Sequence, residues 1–181
     1  DSEAETLVER HLHVPFAYPA LREALQRAAV EAARRYLREN GNNLAKTMYS
    51  EQQVQVHIAP GITVDGRIDL IRRLDTDETS IVDFKSTERA QAEEVTRDQL
   101  HVYALGYEEL SGQRADLVEV LNLDKGAAST REVVDERLLT DIRGRIRNAG
   151  EALRANVLPR HDRWCGACDK CDLVSLCRDR P

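Results

Sequence analysis

Alternating apolar and polar residues predict three consecutive strands in the first half of the chain. The alternation covers residues 54–58, Pro60-Gly61 predicts a turn, and a second apolar stretch covers residues 62–73. A polar turn then leads to a third short strand over residues 80–85. Because the connections are short, these segments are expected to pair as a meander.

Other parts of the chain follow a helical period. One helix is predicted from Pro19 to Asn40, another over residues 89–110, and a last one over residues 136–156. The first two carry apolar stripes: Leu21, Leu25, Ala28, Ala32 and Tyr36 in one, and Leu100, Ala104, Tyr107 and Leu110 in the other.

Two further strands are predicted between the second and third helices. They cover residues 115–123 and 131–134, and the turn signal Asp124-Lys125-Gly126 separates them. The order is therefore helix, three strands, helix, two strands, helix. This order predicts an α/β domain.

The composition is that of a soluble globular protein. The chain has 181 residues, of which 41% are apolar and 32% are charged, enough for one core. No membrane-spanning run, signal peptide or phosphate-binding Gly-Lys loop is found, so a cytoplasmic protein without its own ATPase motor is expected. The start at Asp1 suggests a domain excised from a longer protein.

The net charge of −6 is unusual for a free-standing DNA-binding protein, which generally has a basic face. Arginines do gather late in the chain, around the last helix and before the cysteines. They are Arg143, Arg145, Arg147, Arg154, Arg160 and Arg163. Such a group contacts phosphates or, more commonly, forms the solvated face of a helix.

Three charged residues on the second and third strands suggest hydrolytic chemistry. Asp83 and Lys85 share one strand face, and Asp69 is expected to face away from both Ile68 and Leu70. If the strands pair, two carboxylates and an ammonium converge, which suits Mg²⁺ or Mn²⁺ and an attacking water. An exposed cross-strand salt bridge is the alternative. Burial of the strand that carries Asp83 favours the site, because an unpaired buried charge is costly.

The following helix carries Gln99 and Tyr103, four residues apart on one edge of the apolar stripe. With Gly66, Asp69, Asp83 and Lys85, these residues resemble the ordered motifs of the PD-(D/E)XK nuclease superfamily, in its RecB-like branch. The resemblance implies a restriction-endonuclease-like core, with a central mixed sheet of about five strands flanked by helices.

The resemblance also implies roles for individual residues. Asp69, Asp83 and the backbone carbonyl of Phe84 would bind the metal, and Lys85 would orient the attacking water. Gln99 and Tyr103 would brace the site and touch the DNA backbone. RecB-like nucleases usually add a histidine or an acidic ligand from the first helix, and the predicted helix 19–40 has no histidine. The third ligand stays open among His11, His13 and Glu51, the last at the start of the first strand.

All four cysteines lie near the end of the chain, as Cys165, Cys168, Cys171 and Cys177. Their clustering predicts a metal site rather than a disulfide framework, and both zinc and an iron–sulfur cluster are compatible. Their spacing is similar to the C-terminal motif of AddB-type and CRISPR adaptation nucleases. This similarity favours [4Fe–4S] over structural Zn²⁺, although those families place a fourth cysteine far upstream. A nuclease core over residues 1–158 and a cysteine-clamped tail over residues 159–181 are expected.

The sequence thus predicts a metal-dependent, exonuclease-like DNA nuclease acting on single-stranded DNA. The resemblance is closest to nuclease domains fused to UvrD/Rep-like helicases in DNA repair or recombination, so a helicase/ATPase partner is expected and a membrane is not. A stand-alone CRISPR-adaptation-type nuclease is one alternative. A non-catalytic DNA-binding or scaffolding module that retains the fold is the other.

Overall fold

A five-stranded sheet in the order β1-β2-β3-β4-β5 organises the molecule. The computed structural model describes residues 2–85, 93–123, 129–157, 163–166, 168–171 and 174–177. The strands are β1 (Thr47–Ala59), β2 (Ile62–Arg73), β3 (Thr79–Lys85), β4 (Leu117–Asn122) and β5 (Thr130–Val133). The helices are α1 (Ser2–His11), α2 (Pro19–Asn40), α3 (Glu93–Ser111), α4 (Glu136–Arg154) and the short α5 (Val174–Cys177), with 3₁₀ turns at Gly41–Lys46 and Cys168–Lys170.

The sheet is mixed, as the resemblance implies. Strands β1, β2 and β3 form an antiparallel meander, β4 lies parallel to β3, and β5 returns antiparallel to β4. Parallel neighbours need a crossover, and α3 lies in the connection between β3 and β4. The predicted α/β class, with about five strands flanked by helices, is confirmed.

The main core lies between the sheet and helices α3 and α4. Fully buried side chains from β2, β3, α3 and α4 meet there, among them Ile71, Ile81, Leu105 and Leu139. At about 25 cal/mol per Å² of apolar surface, each such side chain contributes roughly 1.5–3 kcal/mol when it is buried. This core therefore fixes α3 against the strands that carry the acidic residues.

A smaller cluster covers the opposite face of the sheet. Leu70, Val82 and Leu121 are buried there, and Tyr36 of α2 packs edge-on against Phe84 with ring centroids 5.4 Å apart. The predicted apolar stripe of α2 is otherwise poorly buried. Leu21 is 51% exposed and Ala28 is exposed, because this part of α2 lies beside α1, whereas the sheet contacts of α2 in the described residues include Tyr36 and Asn40 near its end.

Several boundaries and faces differ from the sequence prediction. Helix α1 was not predicted, β1 begins at Thr47 rather than Glu51, and Leu110 is 49% exposed at the end of α3. Ile68 and Leu70 lie on opposite faces, since Ile68 belongs to the α3-side core and Leu70 to the smaller cluster. The alternation of side chains between the two sheet faces is therefore interrupted at Asp69. The residue opposite Asp69 on the neighbouring strand is Glu51, whose backbone has a positive φ of 52°.

Two predicted segments lie partly or wholly outside the described residues. They are the first turn of the helix predicted over 89–110 and the turn 124–126. Helices α2 and α4 begin where the sequence predicts, and α4 ends two residues earlier, at Arg154. No helix in the described part of the chain is both long and apolar enough to cross a membrane.

Two glycines of α4 allow a matched test of this packing. A Cβ at Gly150 would lie 2.8 Å from Ile62 Cγ2, whereas a Cβ at Gly144 meets no atom within 4 Å. Gly150→Ala is expected to lower the free energy of unfolding by about 1–3 kcal/mol through overpacking. Gly144→Ala is expected to raise it by about 0.5–1 kcal/mol, because alanine favours the helix.

Urea denaturation of both variants measures the difference. Equal stabilisation by the two alanines would contradict the packing of α4 on the β1–β2 turn.

Candidate active site

The two predicted acidic ligands lie at adjoining positions of β2 and β3. The paired register of these strands runs from Arg73–Thr79 to Leu70–Val82, the pair next to Asp69 and Asp83. Beyond it, Asp69 Oδ2 accepts a hydrogen bond of 2.8 Å from the backbone N–H of Phe84. The carboxylate of Asp69 is thereby held beside β3, as the sequence predicts.

Lys85 connects the acidic pair to α3 through a chain of polar contacts. Its Nζ lies 2.9 Å from Asp83 Oδ2 and donates a 3.1 Å hydrogen bond to Gln99 Oε1. Gln99 Nε2 in turn donates to the Tyr103 hydroxyl at 2.6 Å. Because Gln99 and Tyr103 are four residues apart on α3, the Gln99 amide can contact Lys85 while the Tyr103 hydroxyl holds that amide in place.

Position 66 of the motif requires a glycine for a steric reason. A Cβ there would lie 2.9 Å from Tyr103 Cε1, so the tyrosine ring occupies the space that a side chain on β2 would take. Tyr103 is only 7% exposed, which leaves it little room to move away. The structure thus brings Gly66, Asp69, Asp83, Lys85, Gln99 and Tyr103 into one continuous region.

The electrostatics of Asp83 distinguish it from a surface salt bridge. The residue is 2% exposed, and burial raises the pKa of its carboxyl, with Lys85 opposing the shift and the nearby Asp69 adding to it. Its Oδ2 lies 2.9 Å from Lys85 Nζ, so an ion pair partly offsets the cost of burying this carboxylate. A buried carboxylate oxygen in this state is a good ligand for a cation.

The structure does not bring the three further candidate ligands to this pair. Glu51 is exposed and its carboxylate lies 3.0 Å from Arg67 Nε, on the strand beside Asp69. His11 ends α1, and His13 lies in the α1–α2 connection beside Arg22. Within the described ranges, no three His, Cys, Asp or Glu side chains gather as a metal site.

The cysteines are only partly gathered. Cys165 Sγ and Cys168 Sγ lie 3.8 Å apart, Cys168 is 8% exposed, and Cys171 is exposed. The N–H of Cys168 donates to the carbonyl of Cys165, and the N–H of Cys171 donates to that of Cys168. These turns keep three cysteines in one short loop, with Cys177 at the end of α5.

Three of the late arginines hold α4 in place instead of forming an open patch. Arg145 makes two hydrogen bonds to Asp98 of α3, at 2.5 and 2.6 Å, and Arg143 pairs with Glu108. Arg154 donates to the carbonyl of Pro60 at 2.8 Å. Arg160 lies outside the described residues. The solvated-face interpretation, with structural ion pairs, therefore fits this group better than a phosphate-binding patch.

The sequence did not reveal a cavity of about 410 Å³ that opens beside Lys85. Its lining includes Arg97 of α3, Asn122 of β4 and Thr130 of β5. Asn122 lies next to Lys85 only because β4 pairs parallel with β3 in this register. A single sequence contains no local signal for such a pairing.

One family model and two solved structures are similar to this chain. A model of the PD-(D/E)XK nuclease superfamily matches residues 1–178. A putative exonuclease from Eubacterium rectale is similar in structure, with a TM-score of 0.49 and 11% identity over 85% of this chain. The chain spans 62% of the length of that protein. The protein SSO0001 has a TM-score of 0.47 and 16% identity, over 96% of this chain and 93% of its own length.

No curated protein sequence matches the chain significantly. The family model nevertheless covers nearly the whole chain, and the mixed sheet has the form expected of a restriction-endonuclease-like fold. The chain therefore belongs to the PD-(D/E)XK nuclease superfamily.

Proposed function

We propose that this chain is a metal-dependent deoxyribonuclease that uses Asp69, Asp83 and Lys85 to direct water onto a phosphodiester. The observation that carries the proposal is the position of Asp83. Its carboxylate is buried, forms an ion pair with Lys85 at 2.9 Å, and lies beside the strand position of Asp69. Burial of two neighbouring carboxylates is costly unless positive charge compensates it, and Lys85 together with a bound cation would supply that charge.

The donor set suits a hard divalent cation such as Mg²⁺ or Mn²⁺. Asp69 and Asp83 would hold it together with the backbone carbonyl of Phe84, since all three supply oxygen. A bound cation of this kind polarises the phosphoryl group and lowers the pKa of water. The third side-chain ligand remains open, and Glu51 is the nearest of the three candidates by strand register, opposite Asp69.

The chain's own residues would divide the remaining work. Lys85 Nζ would donate hydrogen bonds to the attacking water and to the phosphate, and Asp83 holds this group in place at 2.9 Å. Gln99 holds Lys85 from the other side, and Tyr103 fixes the amide of Gln99. Small displacements of a catalytic group lower the reaction rate by large factors, so the contacts of Gln99 and Tyr103 that fix Lys85 would matter for catalysis.

Single-stranded DNA is the proposed substrate, within the RecB-like branch and with exonuclease-like action. The motif order Gly66, Asp69, Asp83, Lys85, Gln99 and Tyr103 supports the branch. A net charge of −6, with the α4 arginines paired to acids, supports a weak intrinsic hold on DNA. A helicase in the same polypeptide or complex, working in repair or recombination in the cytoplasm, would deliver the strand.

A cleavage assay tests this proposal. Labelled single-stranded and duplex DNA are incubated with the protein and Mn²⁺, Mg²⁺ or excess EDTA. We expect cleavage of single strands that requires the cation and leaves a 5′-phosphate. Absence of cleavage with either cation would favour a non-catalytic DNA-binding module, and cleavage in EDTA would contradict the metal requirement.

We further propose that the tail over residues 159–181 is held to the core over residues 1–158 by a [4Fe–4S] cluster. Support comes from four cysteines within thirteen residues and from the short loop that joins Cys165, Cys168 and Cys171. Such a cluster would be structural. Protein purified without oxygen should be brown, with about four irons per chain. Stoichiometric zinc in a colourless protein would support the zinc alternative instead.

A further inference from the structure

The cavity beside Lys85 offers one surface that the proposed catalytic roles do not use. Strand register places its side chains on one sheet face, since Asn122 pairs with Lys85, Val120 with Thr130, and Val118 with Glu132. Helix α3 forms the opposite wall through Thr96, Arg97 and Leu100. The cavity, named here the Lys85 cavity, therefore lies between α3 and β3–β5 and adjoins the candidate active site.

The floor and the rim of the Lys85 cavity differ in polarity. Leu100 and Val118 are 3% and 1% exposed and line it together with the partly buried Val120. Its polar groups include the amide of Asn122, the hydroxyls of Thr96 and Thr130, and the cationic side chains of Lys85, Arg97 and Arg131. An apolar slot with a few polar groups around it is the usual form of a small-molecule site. This slot suits a flat, hydrogen-bonding group.

The charges favour a phosphate at the end of the cavity where Lys85 lies. Lys85 and Arg97 line this end of the cavity, Arg131 pairs with Glu119 at 3.1 Å, and Glu132 lies 3.0 Å from His101 Nε2. A second cavity, of about 950 Å³, continues from Arg97 and Glu132 toward the start of α4. Five carboxylates line that cavity against three arginines, Arg97, Arg137 and Arg145; the carboxylates are those of Asp98, Glu132, Asp135, Glu136 and Asp141. Phosphate binding is therefore favoured near Lys85 and disfavoured in the second cavity, toward the start of α4.

We propose that the Lys85 cavity receives the nucleobase of the nucleotide next to the scissile phosphate. This inference rests on the proposed function, since it places that phosphate at Asp83 and Lys85. The base lies between Leu100 and the valines of β4, with Asn122 and Thr130 facing its polar edge. Because a paired and stacked base cannot enter the slot, the cavity selects a single-stranded or locally opened substrate.

Nucleotide binding to the wild-type protein tests the inference directly. Amide NMR spectra are recorded during titration with deoxyadenosine 5′-monophosphate, 2′-deoxyribose 5-phosphate or inorganic phosphate. We expect the nucleotide to bind at least about tenfold more tightly than the sugar phosphate, because the base buries apolar surface. The amides of Val120 and Thr130 should shift. Equal affinities, or shifts confined to other regions, would overturn the proposal.

Two tryptophan variants on β5 provide a matched control. Thr130 lines the Lys85 cavity, whereas Val133 is 68% exposed and lies outside it. Both lie on an edge strand that tolerates a large aromatic residue. Thr130→Trp should weaken nucleotide binding at least about fivefold by filling the slot, and Val133→Trp should not. Equal binding by the two variants, each with a wild-type unfolding curve, would contradict the proposal.

Cleavage of modified DNA separates this inference from the proposed function. Single strands that carry one abasic residue should be cut at least about tenfold more slowly beside that residue. If intact and abasic strands are cut equally, the nucleobase proposal fails and the nuclease stands. If the nucleotide binds at Val120 and Thr130 while no strand is cut, the cavity assignment stands and the nuclease proposal fails.

Discussion

Lys85→Ala is expected to slow cleavage of single-stranded DNA by about 10²–10³-fold, with the fold unchanged. The ammonium lies 2.9 Å from Asp83 Oδ2 and 3.1 Å from Gln99 Oε1, so its loss removes the cation aimed at the phosphate. Asp83→Asn should have an effect at least as large, because the substitution removes the buried charge at the centre of the site. Single-turnover rates at saturating Mn²⁺ measure both effects.

Lys46→Ala is the matched control for the loss of a lysine. Lys46 forms an ion pair with Asp75 in the 3₁₀ turn before β1, away from the acidic pair. Its replacement should leave the cleavage rate within about twofold of wild type. Equal rates for Lys85→Ala and wild type would remove Lys85 from the proposed chemistry, and an equal loss in both variants would indicate a general charge effect.

Glu119→Ala is expected to cost about 3–5 kcal/mol of the free energy of unfolding, the largest stability effect anticipated. Glu119 is 1% exposed, and its Oε2 lies 2.6 Å from a guanidinium nitrogen of Arg72, which is also 1% exposed. Removing the carboxylate leaves a buried cation whose neutral partner Asn40 accepts only one hydrogen bond, at 3.2 Å. Guanidinium denaturation with circular dichroism gives the difference.

The same network supplies two controls. Arg131 also contacts Glu119, at 3.1 Å, but its side chain is half-exposed, so Arg131→Ala should cost less than about 1 kcal/mol. The double variant Arg72→Met with Glu119→Leu should be more stable than Glu119→Ala alone, because no charge is left buried. A loss below about 1 kcal/mol for Glu119→Ala would contradict the burial of this pair.

Local patterns were sufficient for much of the fold. The apolar stretch after the Pro60-Gly61 turn predicted β2 with its observed bounds, and Pro19 predicted the start of α2. The break in alternation between Ile68 and Leu70 was not predictable, because it arises where β1 and β2 pair. Helix α1 is only ten residues long, which leaves a helical period little room to repeat, and Leu110 lies one residue before the end of α3.

The candidate site was predictable where it depends on spacing within one element. Two-residue spacing on β3 placed Asp83 beside Lys85, and four-residue spacing on α3 placed Gln99 beside Tyr103. Contacts between elements were not predictable. Arg72 and Glu119 meet across β3 in the middle of the sheet, and Asn122 meets Lys85 through the parallel register. Both require the strand order, which no single segment encodes.

Binding of Mn²⁺ tests the central claim most directly, since Asp69 and Asp83 are proposed to hold one cation between adjoining strands. Electron paramagnetic resonance of free Mn²⁺ during titration counts bound ions without requiring catalysis. We expect wild type to bind the ion, Asp83→Asn and Asp69→Asn to bind it at least about tenfold more weakly, and Asp98→Asn, whose carboxylate pairs with Arg145, to match wild type. Equal Mn²⁺ affinity in wild type, Asp83→Asn and Asp69→Asn would contradict the account.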